Sequence, residues 1–312
     1  MTVDRDSIAR AAYRIAPHAR RTPVMDMMLA GIDRPVTLKL ELLQHTGSFK
    51  ARGAFNTLAG LPPGSLVTAA SGGNHGAAVA YAAQRLGHKA RIFVPEISSP
   101  AKVARIASYG AEIVQKGANY TAALALCERH IAESGAFSVH AYDAEATLQG
   151  QGTLARELED QTPDLDTVLV AVGGGGLIGG IAAWYQGGTR VIGVEPRSCN
   201  TLHAALAANQ PVDVAPSGLA TDSLGASRVG ALMFPIARAH IDKVVLIDDD
   251  DIHAAQRHLW REAQLVSEPG GATALAALLA GAYRPARDER VGVIVCGANT
   301  TMEAFSKLFA AA

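Results

Sequence analysis

The chain has little charge, few aromatic rings and few lysines or cysteines. Charged residues make up 18% of 312, below the ~25% of ordinary soluble proteins, while 49% are hydrophobic. Such a composition excludes intrinsic disorder. Twenty-eight Lys and Arg against 29 Asp and Glu leave a net charge of −1. That balance excludes the basic footprint of a nucleic-acid partner and the polybasic patch of a membrane partner. Three cysteines, Cys127, Cys199 and Cys296, lie far apart with no C-x-x-C pair. They form neither a disulfide framework nor a zinc spacing, so a reducing cytoplasm is expected. The most apolar stretch, 272–282, is about half the ~20 residues of a membrane span. The first 21 residues carry no apolar core of a secretory signal.

What is present is an alternation. β-Branched runs at 36–42, 66–69, 90–94, 112–114, 168–172, 190–194, 244–247 and 291–295 predict strands. Ala/Leu-rich stretches at 49–59, 75–86, 101–109, 120–133, 151–159, 177–185, 250–264, 272–279 and 302–309 predict helices. The run VLVAV at 168–172 and VGVIV at 291–295 are apolar throughout, as strands covered by helices on both faces must be. The fold class is therefore α/β with mainly parallel, open twisted sheets flanked by helices. Segment 209–233 is broken by Pro and Gly and predicts a loop, and Asp248 to Asp251 predict a helix N-terminus.

Three glycine-rich turns fall where a predicted strand meets a predicted helix. They are Ser71-Gly72-Gly73-Asn74-His75-Gly76, Gly173-Gly174-Gly175-Gly176 and Cys296-Gly297-Ala298-Asn299. Ligands of open α/β sheets bind beyond the carboxyl ends of the strands, and a helix N-terminus there offers unpaired N–H groups to an anion. The second turn also satisfies a dinucleotide fingerprint. Gly174, Gly176 and Gly179 match G-x-G-x-x-G, and Glu195 follows 21 residues after Gly174. A nicotinamide-dependent oxidoreductase is thus one reading. It leaves the other two turns unused.

It also leaves Lys50, one of only seven lysines, which sits just inside a predicted helix N-terminus beside Phe49. The dipole there disfavours a cation and lowers an amine pKa. A neutral amine is what a Schiff-base lysine supplies.

With His45-Thr46-Gly47-Ser48-Phe49-Lys50, the first two turns and Ser267-Glu268-Pro269-Gly270-Gly271-Ala272 in this order, the chain resembles the pyridoxal-phosphate enzymes of the tryptophan-synthase β-subunit type. Within them it is similar to the serine/threonine dehydratases and serine racemases. The Phe before Lys50 and the His after Asn74 separate it from sulfhydrylases, which carry T-G-S-x-K-D-R and S-G-N-T-G.

The resemblance implies a role for each matched residue. Lys50 would hold pyridoxal 5'-phosphate as a Schiff base and then take the substrate Cα proton. Asn74 would bond the pyridoxal 3′-oxygen. Gly173, Gly174, Gly175 and Gly176, with Leu177, would cradle the phosphate. Ser71, Gly72, Gly73, Asn74 and His75 would hold the substrate carboxylate. Cys296 would lie beside the pyridine nitrogen, and Phe49 and Glu268 beside the cofactor.

It also implies two domains with the cofactor in the cleft between them. The larger is 1–55 with 145–312, and the smaller is 56–144. The expected activity is α,β-elimination from a 3-hydroxy-amino acid such as serine or threonine, giving a 2-oxo acid and ammonia. Racemases place Ser where this chain has Gly72, which favours the lyase. Threonine dehydratases read A-D-G where this chain has Ala220-Thr221-Asp222. That departure admits larger substrates of the phenylserine or hydroxyaspartate type. Some relatives bind a divalent cation through Glu and an Asp six residues on. Here Glu195 is followed by Thr201, so no metal is assigned. The expected partners are a small amino acid and a second copy of the chain in a homodimer.

Overall fold

The computed structural model describes residues 3–310, arranged around two sheets. The six-stranded sheet uses β1 (Val24–Met27), β2 (Val36–Lys39), β7 (Thr167–Ala171), β8 (Arg190–Pro196), β9 (Lys243–Ile247) and β10 (Val291–Ile294), in the order β1-β2-β10-β7-β8-β9. Only β1 runs antiparallel, pairing with β2 at the edge; the remaining pairs are parallel. The four-stranded sheet, entirely parallel, has the order β5-β4-β3-β6, from β3 (Leu66–Ala70), β4 (Lys89–Val94), β5 (Glu112–Gln115) and β6 (Phe137–Ser138). Parallel neighbours require helical crossovers, and the Ala/Leu-rich stretches supply them.

Each sheet has its own core. Leu38, Leu169, Val170, Ile192 and Val293 belong to one buried cluster, with Ile178, Ile181 and Leu275 from covering helices. Val67, Ile92 and Val94 belong to another, with Val79 and Ala83 from the helix Asn74–Leu86. The chain passes between the sheets in two helices, Lys50–Leu58 and Glu145–Gln161. They cross in near contact: a Cβ on Gly150 would lie 2.7 Å from Gly53 Cα, so glycine is required there. The first of these helices turns Ala51, Ala54, Phe55 and Leu58 into the core of the four-stranded sheet. Its Arg52 points the other way, into a buried ion cluster with Glu41, Glu157 and Lys39.

The predicted α/β alternation is present. Segment 209–233 is mostly irregular, broken by the short helix Thr221–Leu224. Asp248 and Asp251 form a capping box at a helix start, as expected of carboxylates at that position.

Candidate active site

Lys50 opens its helix at the end of a strained loop. Thr46 adopts φ 57 and Gly47 φ 64, a conformation uncommon for a residue such as threonine. The loop is stitched to the end of β10: Phe49 N–H donates to the Cys296 carbonyl at 3.2 Å and Ala298 N–H to the Gly47 carbonyl at 2.9 Å. Lys50 is thereby carried to the carboxyl edge of the six-stranded sheet. Its Nζ donates to the Ala141 carbonyl at 2.8 Å and stands 5.0 Å from the Phe49 ring centroid. Burial lowers its pKa from 10.5 to about 8, against the opposing pull of Cys296 and Glu268. The expected direction holds, but burial is the leading cause rather than the helix dipole.

Asn74 begins its helix beyond β3, and its Nδ2 donates to Glu268 Oε1 at 2.6 Å. Glu268 stands just before the helix Pro269–Leu279 and is pushed up to about 7 by burial. Cys296 donates its thiol to the Gly270 carbonyl at 3.3 Å, and burial pushes that thiol far above its ordinary value. Residues at 50, 74, 268 and 296 are thus joined by bonds or by electrostatic reach.

The other predicted residues lie at the carboxyl ends of β3, in the four-stranded sheet, and of β7, in the six-stranded sheet. Ser71 Oγ accepts from Gly73 N–H at 3.2 Å, turning the 71–75 loop back on itself. Gly73 faces the Asp222 carbonyl, 3.7 Å from where its Cβ would be. The buried His75 ring bonds the Val139 carbonyl at 2.8 Å, and desolvation lowers its pKa to about 3. It is a neutral strut beneath the loop.

Gly173 to Gly176 lead from β7 into the helix Gly176–Tyr185. A Cβ on Gly174 would fall 2.4 Å from the Tyr142 ring, and one on Gly175, at φ 89, 2.5 Å from Met233. The turn is therefore backbone alone, with the first N–H groups of its helix and Leu177 unpaired within the helix. Glu195 lies elsewhere in function: its buried carboxylate accepts from Leu202 N–H and His203 N–H at 2.8 Å and Thr201 Oγ1 at 3.0 Å. It caps the helix Thr201–Ala207.

Three participants escaped the sequence reading. Tyr142 packs on the tetraglycine. His140 Nδ1 accepts from the N–H groups of Tyr142 and Asp143. Asn299 Nδ2 bonds Asn74 Oδ1 at 2.6 Å. Asn299 closes a quoted glycine turn, a signal that could have found it; Tyr142 and His140 carry no motif.

A buried amine with a lowered pKa and a glycine turn with unpaired backbone N–H groups are the donors that pyridoxal phosphate requires. The buried hydroxyls of Thr46 and Ser48, on the loop before Lys50, have no hydrogen-bond partner among the described residues, so the site retains polar capacity for a ligand. Fold and site define a two-sheet enzyme of carbonyl-amine chemistry. The family model for pyridoxal-phosphate dependent enzymes matches residues 15–297, and the chain belongs to that family. Pyridoxal phosphate is its cofactor, and the nicotinamide reading is overturned by this match. The chain is 37% identical over 314 residues to phenylserine dehydratase of Ralstonia pickettii, covering 97% of this chain and 95% of that protein. It is 36% identical to L-threonine ammonia-lyase of Geobacter sulfurreducens, over 87% of this chain and 70% of that one. Maize serine racemase superposes with a TM-score of 0.91 at 32% identity, covering 99% and 97% of the two chains.

Proposed function

We propose that this protein is a pyridoxal-phosphate-dependent ammonia-lyase that removes water from a 3-hydroxy-amino acid and releases a 2-oxo acid and ammonia. Serine, threonine and phenylserine-like substrates are the candidates. The observation that carries the reading is the desolvated Lys50 amine set among Asn74, Glu268 and Cys296 at the mouths of the glycine turns. The likeness to a phenylserine dehydratase and a threonine ammonia-lyase supports it.

In this reading Gly173 to Gly176 and Leu177 hold the cofactor phosphate, and Asn74, Phe49, Glu268 and Cys296 surround its ring. Bound there, the cofactor withdraws electrons from the substrate Cα. The N–H groups of Ser71 to His75 hold the substrate carboxylate at a helix N-terminus. A side-chain amine with a pKa near 8 is a competent base near neutral pH, so Lys50 Nζ takes the Cα proton. The Cα electron pair forms the Cα–Cβ double bond as the β-hydroxyl leaves with a proton. The released enamine tautomerises and is hydrolysed, returning one water and freeing ammonia.

Gly72 offers no side-chain group for reprotonation from the opposite face, which favours elimination over racemisation. The cleft lies between a larger domain, 1–55 with 145–312, and a smaller one, 56–144. We assign the protein to the cytoplasm as a homodimer, consistent with its unpaired cysteines.

The test is a panel of serine, threonine, phenylserine and hydroxyaspartate, reading ammonia, keto acid and the enantiomer ratio of remaining substrate. Ammonia and keto acid in equal amounts from at least one member is the expected result. Turnover of O-acetylserine with sulfide and of no panel member refutes it.

A further inference from the structure

Arg105 belongs to none of the quoted motifs. It lies on the helix Pro100–Ala107 and lines a cavity of about 680 Å³ together with Thr46, Gly47 and Tyr109. Yet it begins a chain of hydrogen bonds that ends inside the site. Arg105 Nη1 donates to Asn299 Oδ1. Asn299 Nδ2 donates to the Thr46 carbonyl at 2.8 Å and to Asn74 Oδ1 at 2.6 Å. Asn74 Nδ2 donates to Glu268 Oε1 at 2.6 Å.

The direction of that chain is set at Asn299, between the donor-only Arg105 guanidinium and the Thr46 carbonyl, which only accepts. A guanidinium has donors only, whereas an amide has one donating and one accepting end. Asn299 must therefore turn its oxygen to Arg105 and its NH₂ to Asn74. Asn74 must in turn meet it with oxygen, which leaves its NH₂ for Glu268. Room for the first contact comes from Gly47: a Cβ there would lie 2.5 Å from Asn299 Oδ1 and 3.4 Å from Arg105 Nη2.

We propose that Arg105 is a positioning residue for the reaction: through Asn299 it fixes the orientation of the Asn74 amide, so that Glu268 receives an N–H donor and is held as a carboxylate. The proposal rests on the lyase reading and adds a residue that acts on the site through Asn299. The other groups acting on Glu268 are accounted for. Burial raises it toward 7, Lys102 and Arg105 oppose that rise, and Asp222 adds to it. Lys50 and Cys296 also lie within electrostatic reach of it.

The test compares holoenzyme carrying Arg105→Lys with holoenzyme carrying Arg105→Glu. Lysine is again a donor only and preserves the polarity. Glutamate accepts and draws the Asn299 NH₂ away from the Thr46 carbonyl; both amides then turn over and Asn74 presents oxygen to Glu268, which must keep its proton. The acidic limb of kcat/KM against pH is expected to move up by about one unit, tenfold in the proton equilibrium, in the glutamate variant alone. KM should change little. An infrared band of protonated Glu268, identified by its loss in Glu268→Gln, should persist to correspondingly higher pH.

Adding Asn299→Ala to Arg105→Glu removes the amide link, and most of the shift should disappear. A shift that survives this second change is through-space, and it overturns the amide route. An unmoved limb and band, with only lowered stability, make Arg105 a structural residue. If Arg105→Glu does not fold, Arg105→Met takes its place: loss of the donor must still move the band, and an unmoved band refutes the proposal. The band does not depend on turnover. A band that moves in a protein inactive on every 3-hydroxy-amino acid refutes the lyase reading alone.

Discussion

Arg52 sits two residues after Lys50 and is almost wholly buried, so its replacement tests what holds the reactive helix in place. Its guanidinium grips Glu41 through two bonds, at 2.6 and 3.0 Å, and reaches Glu157 at 3.1 Å. Lys39 Nζ bonds Glu157 at 2.5 Å. Two cations and two carboxylates thus balance inside the protein. Arg52→Met leaves Glu41 with Thr22 Oγ1 at 2.7 Å and Gln44 Nε2 at 3.3 Å as its hydrogen-bond donors, and one negative charge in excess. Breaking a buried pair from one side costs about 3–5 kcal/mol, because the abandoned charge stays desolvated.

Urea unfolding near neutral pH should show a loss of that size. Arg52→Met with Glu41→Met leaves one ion of each sign and should recover at least half of it. Acid supplies a second check. Burial raises the Glu157 carboxyl, but Arg52 and Lys39 outweigh that and hold it below 4.5. A depressed carboxyl contributes stability above its unfolded value and loses it as pH falls through the folded one. The gap between wild type and Arg52→Met should therefore narrow on acidification below 4.5. A single-variant loss under about 1 kcal/mol, the scale of an exposed pair, or a double variant as weak as the two changes summed, refutes the reasoning.

Two further outcomes follow from the site. In cofactor-free protein Lys50 should titrate near 8 rather than 10.5, so its labelling by an amine reagent should level off above that pH; a rate still climbing toward 10.5 contradicts the burial argument. Because the folded amine binds its proton more weakly than the unfolded one, this group subtracts stability below 8 and the deficit fades as pH rises to 10.5. Gly175→Ala places a Cβ at φ 89 and 2.5 Å from Met233, whereas Gly187→Ala at φ 87 meets nothing within 4 Å. Both cost about 1–2 kcal/mol for the left-handed backbone. Only the first should weaken pyridoxal-phosphate retention, by about tenfold or more measured by dialysis, and equal retention in the two variants refutes the cradle assignment.

The parallel strands other than β6 were legible because each is a short apolar run followed by a helical pattern. β1 was not: Val24–Met27 is a four-residue antiparallel edge holding an exposed Asp26. β6 is two exposed residues, Phe137 and Ser138, with no periodicity to read. The helix Glu145–Gln161 begins six residues before its predicted start at 151, since Gly150 and Gly152 weaken the local helix signal while tertiary packing demands them. At the site, glycine turns and the lysine announced themselves through local chemistry. Arg105 and Tyr142 did not, because their roles arise from proximity alone: Arg105 meets Asn299 across 194 positions of chain.

The stitching of the Lys50 loop to Cys296 and Ala298 also bears on biogenesis. A nascent polypeptide emerging from the ribosome has its reactive lysine early but lacks the strand that positions it until Val291–Ile294 has been made. Vitamin loading therefore belongs after that strand has emerged. Truncations that remove the last strand should yield a folded smaller sheet, at most, that stays colourless.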